Sequence, residues 1–566
     1  MRRRTNIVFA ILAGACALAV HPPDAAADAP KVLQLAEGKG GFEIEEGGAG
    51  NEQPTVTTLE KNGKRYVVTV YMSSDVSFFD IPWQCKCSSV ELSATGDPKV
   101  VADRVELTHL FGDRPCNHPK ADTDGEHIVW TFGSNHPDQY TVQTYAGVLD
   151  ETCKEVSLPI RISANDNNNE GAPDIVYNGN GVFTAGYLSQ GGQDISYARL
   201  LTKSGGSLQK GFLKNVVTPA NIGRPSIVAL SQTRSLFCAA KGDNRPPEDG
   251  VSCAMLDLTT GNKIWQELIA PSNPSAHVYM NQPSLARLDG GRVALQVIES
   301  DGYGKKKNKK GASMTHLFIL EPNDLGSNVK TKKDGLGPYQ SHAALCSGAY
   351  GQGGATRVGV FDASITGSGL ATMSFAGYDT TTADLGFDKL KDEWVVGAYN
   401  GDSGYIANKY GQNPNMQGRD FLRCIGNVPN PGAGVDGGFM PNVKTFFAVP
   451  YTGRKPDEDK NALFLSFVPG HTTKPIEPEA PDPGEVGTTS GGSTGETGGV
   501  TGAAASGGSD EHGTEFEGPE DNRASRACSI GAGGAPGRSE RLAALAGLTL
   551  LAARRRRWTS RAGREG

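Results

Sequence analysis

The chain has 566 residues, of which 37% are hydrophobic, and a formal net charge of -7. Both ends are basic: residues 1–27 have a net charge of +2 and residues 529–566 one of +6. The rest of the chain therefore has a net charge of about -15. Such an acidic body excludes nucleic acid as the main partner, because phosphate backbones are bound by basic surfaces. Outside its two ends the chain has no stretch of about 18 consecutive apolar residues, the length that a membrane-spanning helix requires.

The first 27 residues have the order of a secretory signal peptide. Arg2–Arg4 precede an apolar run from Ile7 to Val20, and small residues follow up to Ala27. This order predicts export, with cleavage near Ala27. The alternative is a lipoprotein signal that uses Cys16, but the residues before Cys16 fit a lipobox poorly.

Ten cysteines are present, and one of them lies in the predicted signal peptide and one in the tail. The remaining eight are an even number in an exported chain, which predicts disulfides. Cys238 and Cys253 flank a charged loop between two predicted neighbouring strands, so we expect them to be bridged. A Cys346–Cys424 bridge is also predicted. Four more cysteines should pair among themselves in an order that the sequence leaves open: Cys85, Cys87, Cys116 and Cys153.

The C-terminal segment combines a cysteine, a glycine-rich spacer, a short apolar run and an arginine cluster. These are Cys528, the run Leu542–Ala553 and the cluster Arg554–Arg557. The run could just cross a bilayer as a short helix, and the arginines would then remain cytoplasmic. An ordinary single-pass anchor accounts for the segment equally well.

The same four features, in this order, resemble the MYXO-CTERM sorting signal of myxobacterial surface proteins. The resemblance covers about the last forty residues only. It implies that a sorting protease processes the chain at Cys528 and removes the helix and the arginines. The expected location is the cell surface, at the outer membrane, or the medium after release, with membrane contact through the tail before processing.

Residues 473–527 are rich in Pro, Gly, Ser and Thr and have almost no large apolar side chains. They cannot form a core, so a disordered stalk is predicted. The organisation is therefore a signal peptide (1–27), a folded domain (28–472), this linker and the tail (528–566).

The folded domain consists of repeats about 50 to 65 residues long, as in propellers and arrays. Each repeat begins with a proline, continues through a tight turn such as Asn62-Gly63 or Asn180-Gly181, and adds a second hairpin. This pattern gives four strands per unit and predicts an all-β fold, a β-propeller with seven blades or, as the alternative, six. Residues 31–38 could complete the last blade. Two packed β domains are the other architecture considered. The repeat prolines are Pro54, Pro119, Pro173, Pro225 and Pro283.

The first strand of a propeller blade lines the central channel, so residues beside these prolines are candidates for a ligand site. The candidate ligand-binding residues are His118, Arg224 and Gln282, each just before a proline, and Asp174, just after one. Arg224 is the strongest candidate, because its planar guanidinium suits carboxylated or sulfated sugars. A hydrated channel lining without a ligand is the alternative for this polar ring.

Two further segments have compositions that suggest binding. The segment Asn165–Asp174 is rich in oxygen ligands and could hold a structural calcium ion, although its spacing matches no EF-hand and a solvated turn explains it as well. The run Lys305–Lys310 contains five lysines. It could bind anionic polysaccharide or lipid headgroups, and a solvated loop is the alternative.

Motifs of known enzymes are incomplete in this chain. Gly401–Gly404 reads GDSG, as around a protease nucleophile, but Tyr405-Ile406 follow and a turn explains it better. Asp257–Trp265 resembles one quinoprotein propeller repeat; a single copy predicts blade packing by Trp265 and no quinone. The boxes of sialidases are missing. We therefore predict no catalytic residue and no cofactor.

Two functions from different classes remain. The first is a cell-surface binding or structural module for extracellular polysaccharide or a surface protein. The second is an extracellular glycan hydrolase or lyase with its site at the channel mouth. Such hydrolases need paired carboxylates, and the sequence offers only Asp174 and Glu170 near the mouth.

Overall fold

The computed structural model describes most of the folded domain. Residues 31–37, 51–73, 84–107, 116–135, 142–164, 170–189, 194–202, 206–217, 225–241, 249–276, 278–300, 314–334, 340–350, 357–365, 371–379, 388–398, 423–454 and 461–472 are described. At some of these positions, including all those described between residues 340 and 398, only the backbone is described. The predicted signal peptide, stalk, sorting tail and GDSG segment lie outside the described residues.

The described residues form 28 β-strands, two short 3₁₀ helices and seven four-stranded antiparallel sheets, each of which we call a blade. Blades 1 and 2 are β2 (Asn51–Lys61), β3 (Lys64–Ser73), β4 (Gln84–Leu92) and β5 (Lys99–Glu106), then β6 (Asn117–Thr123), β7 (Ile128–Asn135), β8 (Val142–Leu149) and β9 (Glu155–Arg161). Blades 3 and 4 are β10 (Gly171–Gly179), β11 (Val182–Ser189), β12 (Asp194–Thr202) and β13 (Leu208–Val217), then β14 (Ser226–Ser231), β15 (Arg234–Lys241), β16 (Gly250–Asp257) and β17 (Asn262–Pro271).

Blade 5 is β18 (Tyr279–Arg287), β19 (Val293–Ser300), β20 (Met314–Leu320) and β21 (Val329–Lys333), and blade 6 is β22 (Gln340–Tyr350), β23 (Arg357–Ile365), β24 (Ala371–Asp379) and β25 (Asp388–Ala398). Blade 7 is β26 (Ile425–Pro429), β27 (Val443–Arg454), β28 (Asn461–Thr472) and β1 (Lys31–Glu37). Six of the blades are described with side chains, and blade 6 by its backbone. The 3₁₀ helices are Pro274–Ala276 and Asp289–Gly291.

The blades follow one another around a ring. The first strand of each blade contacts the first strand of the next, and β2 of blade 1 contacts β27 of blade 7. The N-terminal strand β1 pairs antiparallel with β28 and so forms the outermost strand of blade 7. The predicted all-β propeller is confirmed, and so is its closure by the N-terminal strand.

The repeat prolines occupy a different place from the predicted one. Four of them lie inside a first strand rather than at its head, and Pro225 alone precedes its strand. At each of these four prolines the register of pairing with the second strand shifts. A β-bulge leaves an extra residue unpaired, so a proline is tolerated there without loss of a ladder hydrogen bond.

The hairpin turns form as the sequence indicated. At Asn62-Gly63 and at Asn180-Gly181 both residues have positive φ angles, between 50° and 71°. This conformation defines the type I′ turn, which matches the right-handed twist of the strands on either side.

Disulfides cross-link the domain within and between blades. The predicted Cys238–Cys253 bridge is present, and these two cysteines are direct cross-strand partners of β15 and β16. Cys85–Cys116 and Cys87–Cys153 join blade 1 to blade 2. Cys424 is also disulfide-bonded, whereas the side chain of Cys346, its predicted partner, is outside those described.

Candidate functional site

The first strands begin at one face of the ring, which we call the proline face because the repeat prolines mark it. On this face the structure places His118 and Asp174 with their side chains. The backbone of Gln282 lies there too, in the bulge of β18, but its side chain is not described. Arg224 lies outside the described residues. Three of the four predicted ligand residues therefore lie on the proline face, in blades 2, 3 and 5.

His118 sits at the bulge of β6 with an unusual backbone. Its φ is 54°, in the left-handed region, and its side chain is 5% exposed. The backbone N–H of His118 donates to the Sδ of Met72 in blade 1, at 3.1 Å. Left-handed residues other than glycine persist only where the surrounding structure holds them. Blade 1 thus helps to fix the position of His118.

Residues just after the prolines link each inner strand to the next. The Oδ2 of Asp174 in blade 3 accepts from the backbone N–H of Ile227 in blade 4, at 2.9 Å. The Oγ of Ser226 in blade 4 accepts from the N–H of Leu285 in blade 5, at 3.1 Å. The channel-side edge of a first strand has no strand partner, so these side chains satisfy backbone donors that would otherwise be unpaired.

A charged cluster lies at the inner strands of the ring, beside the repeat prolines of the proline face. Arg423, which directly precedes blade 7, donates to the carbonyl oxygens of Ala121 at 3.1 Å and Ile175 at 2.7 Å. Its guanidinium is 3.5 Å from the carboxylate of Asp122 and 3.6 Å from that of Asp174. Arg423 therefore links blades 2 and 3 to the start of blade 7.

Arg423 also contacts blade 1. Its backbone N–H donates to the carbonyl of Pro54, at 3.4 Å, and Arg423 forms a parallel bridge with Thr55. Its side chain is 11% exposed. One residue thus connects four of the blades.

The carboxylates of Asp122 and Asp174 both accept hydrogen bonds from backbone N–H groups of the protein. Asp122 accepts from the N–H of Thr123 at 3.0 Å and of Tyr177 at 2.8 Å. Asp174 accepts from its neighbour Ile175 and from blade 4. Burial raises the pKa of Asp122, and the Arg423 guanidinium opposes that rise. A general acid must present its proton to the substrate, whereas these carboxylates face protein donors.

Sequence reasoning missed Asp122 and Arg423. Asp122 lies three residues after its proline, where most repeats have an apolar or small residue. That departure from the repeat was the available signal. Arg423 follows a segment where the repeat is hard to recognise, so its position in the ring could not be read from spacing.

Within the described residues no group of His, Cys, Asp or Glu is arranged to hold a metal ion, and residues 165–169 of the oxygen-rich segment are outside them. Trp265 packs between blades, where its Nε1 donates to the carbonyl of Asn323 in blade 5 at 2.7 Å. No described helix has the length and apolarity that crossing a bilayer demands.

Comparisons with known proteins give likenesses of fold. No family model and no curated protein matches the chain. The α-L-arabinofuranosidase Arb93A from Fusarium graminearum is 12% identical, with a TM-score of 0.37 over 62% of this chain and 93% of that one. The polysaccharide lyase Uly1 is 11% identical, with a TM-score of 0.40 over 76% and 91%. Trypanosoma rangeli sialidase is 11% identical, with a TM-score of 0.35 over 63% and 60%.

Proposed function

We propose that this protein is an exported β-propeller that binds an extracellular polysaccharide at its proline face. The observation that carries the proposal is that the carboxylates of Asp122 and Asp174 are already bound within the protein. Asp122 and Asp174 both contact Arg423 and accept backbone N–H groups. They act as braces between blades, which favours binding over hydrolysis at this mouth.

The mouth has the chemistry of a polar ligand site. His118 lies on the proline face just before its proline, and Gln282 and Arg224 occupy the equivalent sequence positions in blades 5 and 4. Sugars are recognised by a few fixed polar groups in a concave site.

The experiment is a glycan screen of the exported full-length chain, with analysis of the products. We expect binding without release of shorter oligosaccharides. Release of oligosaccharides would favour the alternative, a hydrolase or lyase. Absence of binding to every glycan would contradict the proposal.

Replacing Arg224 with Ala should weaken binding of an acidic glycan found by the screen. A bidentate bond to a charged group is worth about 1.5–3 kcal/mol, so the affinity should fall roughly tenfold to a hundredfold. Calorimetric titration of wild type and Arg224→Ala measures this change. An unchanged affinity with an unchanged melting temperature would exclude Arg224 from the site.

The proposal includes a surface location. The signal peptide and the Cys528 segment support it, and the disulfides fit an oxidising compartment. A sorting protease acting at the cysteine would remove the apolar run and the arginine cluster. Mass spectrometry of the surface form should therefore find no peptide containing Arg554–Arg557, and an intact arginine cluster would contradict processing.

A further inference from the structure

The direction of the strands distinguishes the two faces of the ring. First strands begin at the proline face and end at hairpin turns such as Asn62-Gly63 and Asn180-Gly181. We call the opposite face, where these turns lie, the turn face. Neighbouring strands of a blade are antiparallel. The third strand of a blade therefore runs in the same direction as the first and also ends at the turn face.

The last strand of the folded domain ends at the turn face. β28 is the third strand of blade 7, counted outwards from β26. Its last residue, Thr472, pairs with Val443, the first residue of β27 after the β26–β27 turn. Blade 7 has the same direction as blade 1, because Arg423 forms a parallel bridge with Thr55 of β2. The chain after Thr472, which begins the predicted stalk, therefore leaves the ring at the turn face.

Contacts of the N-terminal strand give the same placement. β1 begins with Lys31, whose Nζ is 3.8 Å from the Oδ1 of Asp97 and 4.8 Å from the centre of the Phe439 ring. Asp97 lies in the β4–β5 turn and Phe439 in the β26–β27 turn. The N–H of Gly96 donates to the carbonyl oxygen of Gly437, at 3.2 Å, and so joins these two turns. The first and the last described strand thus both have a chain end on the turn face.

The depth of the domain limits how the predicted stalk can orient it. β28 has 12 residues, and a strand rises about 3.3 Å per residue, so the two faces are about 40 Å apart here. A Gly/Ser-rich chain as long as residues 473–527 has an r.m.s. end-to-end distance of about 40 Å. If the proline face were turned towards the anchoring surface, the stalk would have to run back along the whole depth of the domain. That path uses up its r.m.s. length, whereas the opposite orientation leaves the stalk unrestrained.

We propose that, in the anchored protein, the proline face points away from the surface that holds the C-terminal tail and binds a polysaccharide from outside that surface. The class of ligand rests on the proposed function, whereas the orientation rests on the strand directions. A polymer in the medium or on a neighbouring cell reaches the proline face directly. A glycan of the anchoring surface itself meets the turn face instead.

One epitope on each face tests the orientation. A FLAG peptide is inserted after Ser275, which is exposed at the proline face just before β18, or after Gly290, which is exposed at the turn face just after β18. The two variants are matched, because the insertions lie at the two ends of one strand. The exported chain is captured on streptavidin by a biotinylated tag that replaces the residues after Cys528. It is captured either with its whole stalk or without residues 476–525.

The probe is an anti-FLAG Fab. Without residues 476–525, the Fab should associate with the epitope at Ser275 as it does in solution. Its association with the epitope at Gly290 should fall roughly tenfold or more, because binding is lost where the geometry forbids simultaneous engagement. Equal Fab binding by the two free chains in solution is the control for folding and for epitope exposure. Equal association at both positions of the captured chain, or a loss at Ser275 alone, would overturn the orientation.

Soluble hyaluronan, alginate and xylan test the binding part of the proposal. A polysaccharide that binds the free chain should bind the captured chain equally with and without residues 476–525, because the proline face stays exposed in both. Loss of this binding on deletion of residues 476–525, with binding by the free chain retained, would contradict the outward orientation. If the free chain binds none of the glycans in the screen, the proposed function fails, and the Fab measurement still decides the orientation.

Discussion

Arg423→Ala should lower the free energy of unfolding by about 3–5 kcal/mol at pH 7, the usual cost of removing one partner from a buried ion pair. The change removes donors from the carbonyls of Ala121 and Ile175 and leaves Asp122 and Asp174 without their cation. Urea unfolding followed by tryptophan fluorescence measures the loss.

The matched control is Arg234→Ala. Arg234 also pairs with two carboxylates, those of Asp257 and Asp324, but at the surface of the ring. Its loss should cost at most about 1 kcal/mol. Equal losses in the two variants would mean that Arg423 is not a buried brace.

The cost of Arg423→Ala should shrink as the pH falls. Burial raises the pKa of Asp122 and Arg423 opposes that rise, so the pKa should rise further in the variant. A buried acid with a raised pKa penalises the folded state above that pKa, and the penalty disappears as the pH falls through it. A loss that grew on acidification would contradict this account.

Removing the Cys87–Cys153 bridge, with both cysteines replaced by Ala, should cost about 4 kcal/mol. The bridge closes a separation of 66 residues and joins blade 1 to blade 2. Both sulfurs are fully buried. Denaturant midpoints of the variant and the wild type, under oxidising conditions, measure the loss.

The Cys238–Cys253 bridge is the internal comparison. It closes a separation of 15 residues within one hairpin whose strands are already paired. Its removal, again by replacement with Ala, should cost less, about 3 kcal/mol. A larger loss for this short bridge than for Cys87–Cys153 would contradict the chain-entropy explanation of the difference.

Features set by neighbours in the chain could be predicted from the sequence. Alternating apolar residues and pairs such as Asn180-Gly181 determine strands and type I′ turns locally, and their repetition determines a propeller. The Cys238–Cys253 bridge could be predicted in the same way, because the two cysteines lie on neighbouring strands of one hairpin in blade 4. The sequence also suggested that residues 31–38 could complete the last blade, and Lys31–Glu37 form that strand.

The candidate site depended on contacts that no local pattern encodes. Arg423 reaches Ala121 and Ile175 across 302 and 248 residues of sequence. Polar residues beside the repeat prolines indicated a channel mouth, but the sequence could not distinguish a ligand group from a brace such as Asp174. That role depends on which backbone donors are left unpaired at the inner edge of the ring, and only the packing of the blades decides it.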